Sequence, residues 1–506
     1  MAERNSVLKN SIALYIRMGV MMIVTLYSSR IVLDCLGVTD FGIYNVVGGV
    51  VVLASFVNNI LKIAVRRFIA VEMVREKGNV LSVFRSGLVA VSILGFIVLA
   101  MLETVGLWFL NTHLNIPEDR MFVANIIYQL SIVTYLFNIF AIPYDSVIVA
   151  YERMNIYAYI GILEAFMRLG LALALQLDLH IDKLLLYGIL MLGTAIIVRM
   201  LNATYCNRKL LKQREPWKVD KKILKSMMNY SSWSMVGAVI GLLSTQGLSM
   251  IFNIFYGVAI NAAIGIAHQI QSAVSQFVSN FQTAFNPRLT KLYAADGLSE
   301  NTFSFMLKVS KMVICLELLL AVPILVNIDS ILDVWLTVVP ENTAFITIIL
   351  TLYFIIDGAA CPLYVLVYAK GDVKFYQIFL SIINVAFIAV VYAFCRFGLQ
   401  FVQVYPLYIL CSAALYFARL YILKRIMNFD AVLYMRKVLL PLIPILVLLI
   451  GYSHLSYTIF EGCLLNLLVK AGLDLLVTLS LTFLIYLNSS ERMFLKEIVM
   501  SKLKKS

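Results

Sequence analysis

The chain has 506 residues, of which 62% are hydrophobic and 14% are charged, and its mean hydropathy is +0.91. Soluble globular proteins carry roughly 25% charged residues, so this composition excludes a water-soluble fold and predicts a membrane protein. The net charge of +13 does not indicate a nucleic-acid partner, because the lysines and arginines lie in short segments between apolar stretches.

Apolar stretches of roughly 20 residues, the length that crosses a bilayer as a helix, recur along the whole chain. They predict an all-α polytopic membrane protein with about 14 spans. The predicted spans are 10–33, 41–64, 82–110, 121–144, 157–177, 184–207, 227–252, 261–285, 303–328, 343–366, 375–395, 402–423, 437–454 and 463–487.

The basic residues predict the orientation of these spans. If the N-terminus is cytoplasmic, most of the lysines and arginines fall in cytoplasmic segments. The outer segments hold only Arg30, Arg120, Lys183 and Arg396. Because loops rich in lysine and arginine stay in the cytoplasm, we expect both termini there.

The second half of the chain repeats landmarks of the first at a nearly constant offset. The matched pairs are Gly37 with Gly257, Gly78 with Gly297, Pro143 with Pro362, Ala150 with Ala369, and Tyr157 with Tyr376. Spans 1–6 therefore correspond to spans 7–12. Since six is even, the two six-helix lobes share one orientation, which predicts a parallel repeat about an axis along the membrane normal. Such a repeat of apolar spans is typical of a transporter with two lobes around a central site.

This repeat predicts four parts of the chain. Residues 1–207 form an N-terminal lobe, and residues 208–225 form a basic cytoplasmic linker. Residues 226–425 form a C-terminal lobe. Residues 426–506 add spans 13 and 14 and a basic tail, which we expect on the inner leaflet of the membrane.

Two segments resemble a known transporter family. One is RIVLDCLGVTDFGIYN, residues 30–45, after the first span, and the other is FNPRLTKLYAADG, residues 285–297, after the eighth. Both resemble the multidrug/oligosaccharidyl-lipid/polysaccharide (MOP) exporter superfamily, and in particular its Wzx-type polysaccharide and O-antigen flippases. The resemblance covers essentially the whole chain, because the span number, the repeat and the extra C-terminal helix pair all agree.

The resemblance implies a V-shaped pair of lobes that alternates access. It also implies a substrate, undecaprenyl-pyrophosphate-linked oligosaccharide, that is moved across the bacterial inner membrane, and it implies as partners membrane lipids and the glycosyltransferases and polymerase of the same pathway. The major facilitator superfamily is the main rival fold. Its fourteen-span members usually place the extra pair between the lobes, and residues 66–77 lack its Gly-x-x-x-Asp-Arg signature.

Three charged residues lie inside predicted spans of the N-terminal lobe, at comparable depth. With a rise of about 1.5 Å per residue, Arg17 lies roughly 12 Å into span 1, and Glu164 and Arg168 lie roughly 10 and 16 Å into span 5. Their equivalents in the second lobe are apolar, namely Val236, Ile383 and Phe387. We expect these charges to line a cavity and hold a pyrophosphate or an acidic sugar. Alternatively, Glu164 and Arg168, four residues apart, only neutralise each other and fasten helices.

Four further charged residues are candidates for a gate or for ion coupling. Arg30 and Asp34 are four residues apart at the outer end of span 1, where a helix-end salt bridge is the alternative. Asp357 precedes Pro362 by five residues and either couples a cation or satisfies carbonyls that the proline leaves free. Glu317 is an isolated acid in span 9 and a candidate proton site.

Other polar groups in the spans are weaker candidates. His268 and Gln269 in span 8 are suited to hydrogen bonds with sugar hydroxyls, or to contacts between helices. Lys470 and Asp474 in span 14 form another pair four residues apart, which we interpret as structural. The seven cysteines are scattered singly, so the sequence predicts no metal site and no cofactor.

Three function classes remain to be weighed. A flippase for lipid-linked oligosaccharide needs cationic residues in a large polar cavity, which Arg17 and Arg168 supply. A cation-coupled multidrug exporter of the same superfamily would favour acids instead, and Glu164, Glu317 and Asp357 keep that alternative open. An enzyme is not expected, because the longest outer loops carry no nucleophile–base set and the chain has no glycine-rich phosphate loop. Coupling to a gradient of H⁺ or Na⁺ is possible for either transporter.

The predicted orientation can be checked by labelling single-cysteine variants in a cysteine-free background. Asp333→Cys, in an outer loop, should react with a membrane-impermeant maleimide on intact cells. Gln213→Cys, in the cytoplasmic linker, should react only after permeabilisation. The reverse pattern would contradict the assigned topology.

Overall fold

The structure is a computed structural model that describes residues 2–74, 79–151, 153–177, 180–211, 219–227, 242–370, 373–457 and 464–493. Every regular element in these ranges is helical. Eleven helical stretches among them are long and apolar enough to cross a membrane. The first of these, Gly19–Ser55, covers two predicted spans, because it bends at Gly37. The predicted all-α polytopic fold is therefore confirmed.

Several sequence landmarks lie outside the described residues: Gly78, Val236, most of predicted span 7, part of the linker and the basic tail. The helices of the first half are α1 (Ala2–Val52), α2 (Phe56–Val74), α3 (Val80–Met101), α4 (Leu107–Thr112), α5 (Met121–Ala150), α6 (Met154–Ala174) and α7 (Lys183–Tyr205). A short helical stretch, 221–227, overlaps the end of the predicted linker.

The second half continues with helices of the same kind, and π-helical turns extend several of them. These helices are α8 (Leu248–Tyr256), α9 (Val258–Asp296), α10 (Glu300–Trp335), α11 (Thr343–Ala359), α12 (Cys361–Lys370), α13 (Val373–Arg396), α14 (Phe401–Val404), α15 (Leu407–Met427), α16 (Ala431–Tyr434), α17 (Leu442–Tyr457) and α18 (Leu464–Leu481).

A single glycine joins the first two helices of each repeat. Gly37 has φ 73° and ψ 172°, and its equivalent Gly257 has φ 83° and ψ −179°. A positive φ combined with an extended ψ is a region that essentially only glycine occupies without strain. The chain therefore turns from one membrane helix into the next without a loop, and it does so at matched positions of the two repeats.

The second helices of the two repeats approach each other closely at two further glycines. An added Cβ on Gly42 would overlap with the backbone of Val258, and one on Gly265 would lie 2.7 Å from the side chain of Asn45. Asn45 and Gly265 differ by the same offset as Gly37 and Gly257, so they are equivalent to each other. A contact between two equivalent residues is what a twofold axis along the membrane normal requires.

The chain divides into two compact units. The first comprises residues 1–265 and 336–341, and the second comprises 266–335 and 342–506. Helix α8 and the first residues of α9 thus cluster with the first unit, because the division falls within α9. The lobe boundaries drawn at the linker, 208–225, stay a prediction.

Buried polar contacts fasten the last two spans to α10 in the second unit. Lys311 donates to Glu491 at 3.0 Å and to the carbonyl of Tyr486 at 3.2 Å. Asp474, which is fully buried, accepts from Asn327 at 2.5 Å and from Tyr452 at 2.8 Å. These contacts give Asp474 the structural role that its sequence position predicts, through partners on other helices.

Alanine at Gly257 should destabilise the protein by about 1–3 kcal/mol, because a side chain at this backbone conformation is strained. Gly193→Ala is the matched control: Gly193 lies within α7, and an added Cβ there meets no atom within 4 Å. Thermal unfolding of the purified protein in detergent compares the two variants. Equal melting temperatures would contradict the strain argument.

Candidate functional site

The in-span pair of the first unit is formed and faces other helices. Nη2 and Nε of Arg168 both donate to Oε1 of Glu164, at 2.9 and 3.3 Å. The rings of Tyr44 on α1 and Tyr187 on α7 pack edge to face with their centroids 4.7 Å apart, and both tyrosines interact electrostatically with Arg168. The guanidinium therefore points from α6 toward α1 and α7.

The pair is accessible although it lies within a membrane-spanning helix. The side chain of Arg168 is 46% exposed and that of Glu164 is 28% exposed. A charge exposed to hydrocarbon is expensive, so the predicted position of Arg168 on a water-filled cavity would avoid this cost, and it stays a prediction. Because both bonds go to one oxygen of Glu164, the guanidinium keeps donors for an anionic ligand.

The equivalent positions of the second repeat are apolar in the structure too. Phe387 replaces Arg168, and its ring packs against Tyr408 with the centroids 5.4 Å apart. Ile383, which replaces Glu164, lies on the same helix, α13. The side chain of Arg17, the third member of the predicted set, lies outside the described residues.

The second unit has an ion pair that the sequence did not predict. Nη1 of Arg419 on α15 lies 2.8 Å from Oδ1 of Asp357 on α11, although its hydrogens are not aligned for a hydrogen bond. Arg419 also interacts electrostatically with Tyr376. Asp357 thus has an arginine partner, beside the break between α11 and α12 that precedes Pro362.

Arg419 lies near the end of predicted span 12, and the repeat gives a signal that finds it. Its equivalent position in the first repeat is next to Arg199, which lies in span 6. The guanidinium carbon of Arg199 lies 3.9 Å from the ring centroid of Tyr144. Each repeat therefore has an arginine in the C-terminal part of its last helix.

Glu317 lies beside the Asp357–Arg419 pair. It is fully buried, and neither of its carboxylate oxygens has a hydrogen-bond partner in the part of the chain that the structure describes. An added Cβ on Gly358 would overlap with Oε1 of Glu317, so the acid abuts the backbone of α11.

The remaining predicted site residues lie apart from these clusters. Nδ1 of His268 lies 2.8 Å from Oε1 of Gln271 on the same helix, so a local contact satisfies it. Oε1 of Gln269 is buried without a hydrogen-bond partner among the described residues. Arg30 is half-buried and Asp34 is exposed, and both lie in the last turns before Gly37.

An ionic cluster at the start of α7 was missed from the sequence. Arg120 donates to both carboxylate oxygens of Asp40, at 2.9 and 2.6 Å, and to Asp182 at 2.7 Å. Asp182 also caps α7, accepting from the backbone N–H groups of Leu184 and Leu185. Burial alone would raise the pKa of Asp182, but the bonds from Arg120 and from the helix N-terminus lower it overall.

Comparisons with solved structures relate the fold to one superfamily. The lipid II flippase MurJ in an inward closed conformation matches with a TM-score of 0.67 and 12% identity, over 94% of this chain and 99% of that one. An inward-facing MATE-family multidrug resistance transporter of the MOP superfamily matches with a TM-score of 0.63 and 12% identity, over 82% and 99%. A MOP transporter from Pyrococcus furiosus matches with a TM-score of 0.51 and 13% identity, over 82% and 96%.

No family model matches the chain, and no curated protein matches it either. At such low identities the likeness to solved structures shows the fold alone. The protein is a multi-pass membrane protein with the fold of MOP-superfamily transporters, as predicted. The Wzx-type branch stays a prediction.

Asp182 is expected to make a contribution to stability that is lost in acid. Because the pKa of Asp182 is lowered on folding, its contribution is present above the ordinary aspartate pKa, about 3.9, and is lost as the pH falls through the lower folded value. Asp182→Ala should cost about 1–2 kcal/mol at neutral pH, the usual loss for a helix cap, and should weaken the acid sensitivity.

Thermal unfolding at neutral and acidic pH measures both effects, with Asp119→Ala as the control, since Asp119 is exposed and directly precedes Arg120. An identical response of the two variants would contradict the role of Asp182.

Proposed function

We propose that the protein is a flippase that moves undecaprenyl-pyrophosphate-linked oligosaccharide across the bacterial inner membrane by alternating access. The observation that carries the proposal is the accessible Glu164–Arg168 pair within α6, whose counterpart in the second repeat is apolar. The MOP fold and the resemblance of residues 30–45 and 285–297 to Wzx-type flippases support it.

The chemistry of the pair suits the head of such a substrate. A guanidinium presents several donors in one plane, which fits the oxygens of a pyrophosphate. Tyr44 and Tyr187 beside it offer rings and hydroxyls to a neighbouring sugar. Arg17 joins this set in the proposal because of its matching depth in span 1. The lipid tail stays among membrane lipids while the head crosses.

The proposal places both termini in the cytoplasm and the protein in a pathway with glycosyltransferases and a polymerase. These enzymes carry out the covalent steps before and after translocation, so the flippase itself needs no catalytic group. An ion gradient, of H⁺ or Na⁺, is the energy source that the buried acids of the second unit favour.

A cation-coupled multidrug exporter is the second candidate. Glu317 and Asp357, two acids side by side in the second unit, favour it, because cationic drugs and coupling ions are drawn to carboxylates. The two functions differ in what they transport. A reconstituted protein that moves a cationic dye and no lipid-linked oligosaccharide would support the exporter.

The double variant Glu164→Leu with Arg168→Leu separates a substrate contact from a fastener. Hydrogen bonds to a charged group contribute about 1.5–3 kcal/mol, so we expect at least about a tenfold loss of affinity for undecaprenyl-pyrophosphate oligosaccharide. Flipping should also be lost, in a protein that expresses normally because the double replacement leaves no unpaired charge within the span. Binding in nanodiscs and flipping in proteoliposomes measure this.

Phe166→Ala, on the same helix, is the control and should bind and flip normally, because Phe166 is an exposed apolar side chain. Arg168→Lys should recover activity only in part, because it keeps the charge but loses the planar set of donors. A double variant that is fully active, together with an active Arg17→Ala, would rule out a substrate contact for this set.

A further inference from the structure

Glu317 lies in the core of the second unit without compensation for a charge. Its side chain is fully buried, and both carboxylate oxygens are without hydrogen-bond partners among the residues described. An ionised carboxylate in such surroundings loses its hydration and gains nothing in return, which costs several kcal/mol, whereas the protonated form is neutral. In this conformation Glu317 therefore holds a proton.

The titratable groups that interact electrostatically with Glu317 are Asp357 on α11, Cys361 on α12, Tyr416 on α15, Tyr434 on α16 and Tyr486 at the end of the last span. Two cations lie near them. Lys311, six residues earlier on α10, is paired with Glu491 at 3.0 Å. Arg419 is paired with Asp357 at 2.8 Å. Each of these two cations thus already has its own carboxylate.

Asp357 connects the buried acid to an accessible surface. It precedes Gly358, the residue whose missing side chain makes room for Oε1 of Glu317. Its own side chain is 40% exposed, while that of Arg419 is 12% exposed. A buried acid and an accessible acid are therefore adjacent, and the accessible one is held by a loosely aligned ion pair.

We propose that Glu317 is a proton-carrying site of the second unit, which exchanges its proton with Asp357 during transport. The proton leaves the Glu317 carboxyl and binds the Asp357 carboxylate, so Asp357 becomes neutral and Glu317 becomes ionised, with no other reactant consumed. Neutral Asp357 no longer holds Arg419. The new carboxylate needs a cation, and Arg419 reaches it only if α10, α11 and α15 repack. Proton transfer and helix packing are thereby linked.

A proton fits this site better than a metal cation. Hard cations are held by several oxygen ligands, and the part of the chain that the structure describes has no cluster of three or more histidine, cysteine, aspartate or glutamate side chains. The proton site stands on the geometry of the second unit alone, and its part in a transport cycle rests on the proposed function.

Infrared difference spectroscopy of the full-length protein in proteoliposomes tests the site directly. The wild type should show the C=O band of a protonated carboxyl at neutral pH that disappears on alkalinisation. Glu317→Gln should lack this band, and Asp357→Asn should shift its titration. Glu103→Gln should keep it unchanged, because Glu103 lies in the first unit and accepts a bond from Gln129. The proposal would be overturned if the band remained in Glu317→Gln. It would also be overturned if the band did not change with pH, or if Asp357→Asn did not shift its titration.

A flipping assay with a fluorescent undecaprenyl-pyrophosphate oligosaccharide under an imposed pH gradient tests the coupling. The wild-type rate should depend on the direction of the gradient, and Glu317→Gln should lose that dependence. If the probe moves but Glu317→Gln responds as the wild type does, the proton inference fails and the flippase stands. If the probe does not move while the carboxyl band titrates, the flippase fails and the proton site stands. Should Glu317→Gln not fold, Asp357→Asn in both assays decides.

Discussion

The hydrocarbon core of the membrane penalises every charge that it cannot pair or hydrate, and this penalty constrains the rest of the structure. Most charged residues of the chain lie between spans, where they set its predicted orientation. Two of the few charged residues inside the spans have defined polar partners. Lys311 is paired with Glu491, and Asp474 is held by an amide and a hydroxyl. There are two exceptions, the accessible Glu164–Arg168 pair and Glu317, whose carboxylate has no hydrogen-bond partner among the described residues. We expect function at these two places.

The two repeats share their helical arrangement but differ in which charged residues lie inside the spans. Matched glycines turn the chain from the first helix into the second in each repeat, so both halves begin with the same geometry. The charges then break the symmetry. The first repeat has Glu164 and Arg168 where the second has apolar residues, and the second has two buried or half-exposed acids near Arg419. A substrate head and a coupling proton would thus be handled in different parts of the molecule.

The sequence alone predicted the features that follow from local pattern. Span length and apolarity predicted the helical membrane fold, and the spacing of Glu164 and Arg168 predicted their contact, since residues four apart share a helix face. The contact of Arg419 with Asp357 could not be predicted in this way, because it joins two helices and a charge near a span end looks like a loop residue. The cluster of Arg120, Asp40 and Asp182 is likewise formed by residues far apart in sequence. Whether Glu317 has a partner depends on how several segments pack around it, and the spacing of residues in the sequence does not reveal that packing.

The central claim is that Arg168 faces a water-filled cavity and not lipid. Arg168→Cys, in a cysteine-free background, should react with a charged, membrane-impermeant thiol reagent. Phe166→Cys, two residues away and also exposed, should react only with a lipophilic maleimide, because its surface is apolar and faces acyl chains. An Arg168→Cys variant that ignores the charged reagent and reacts only with the lipophilic one would contradict the account.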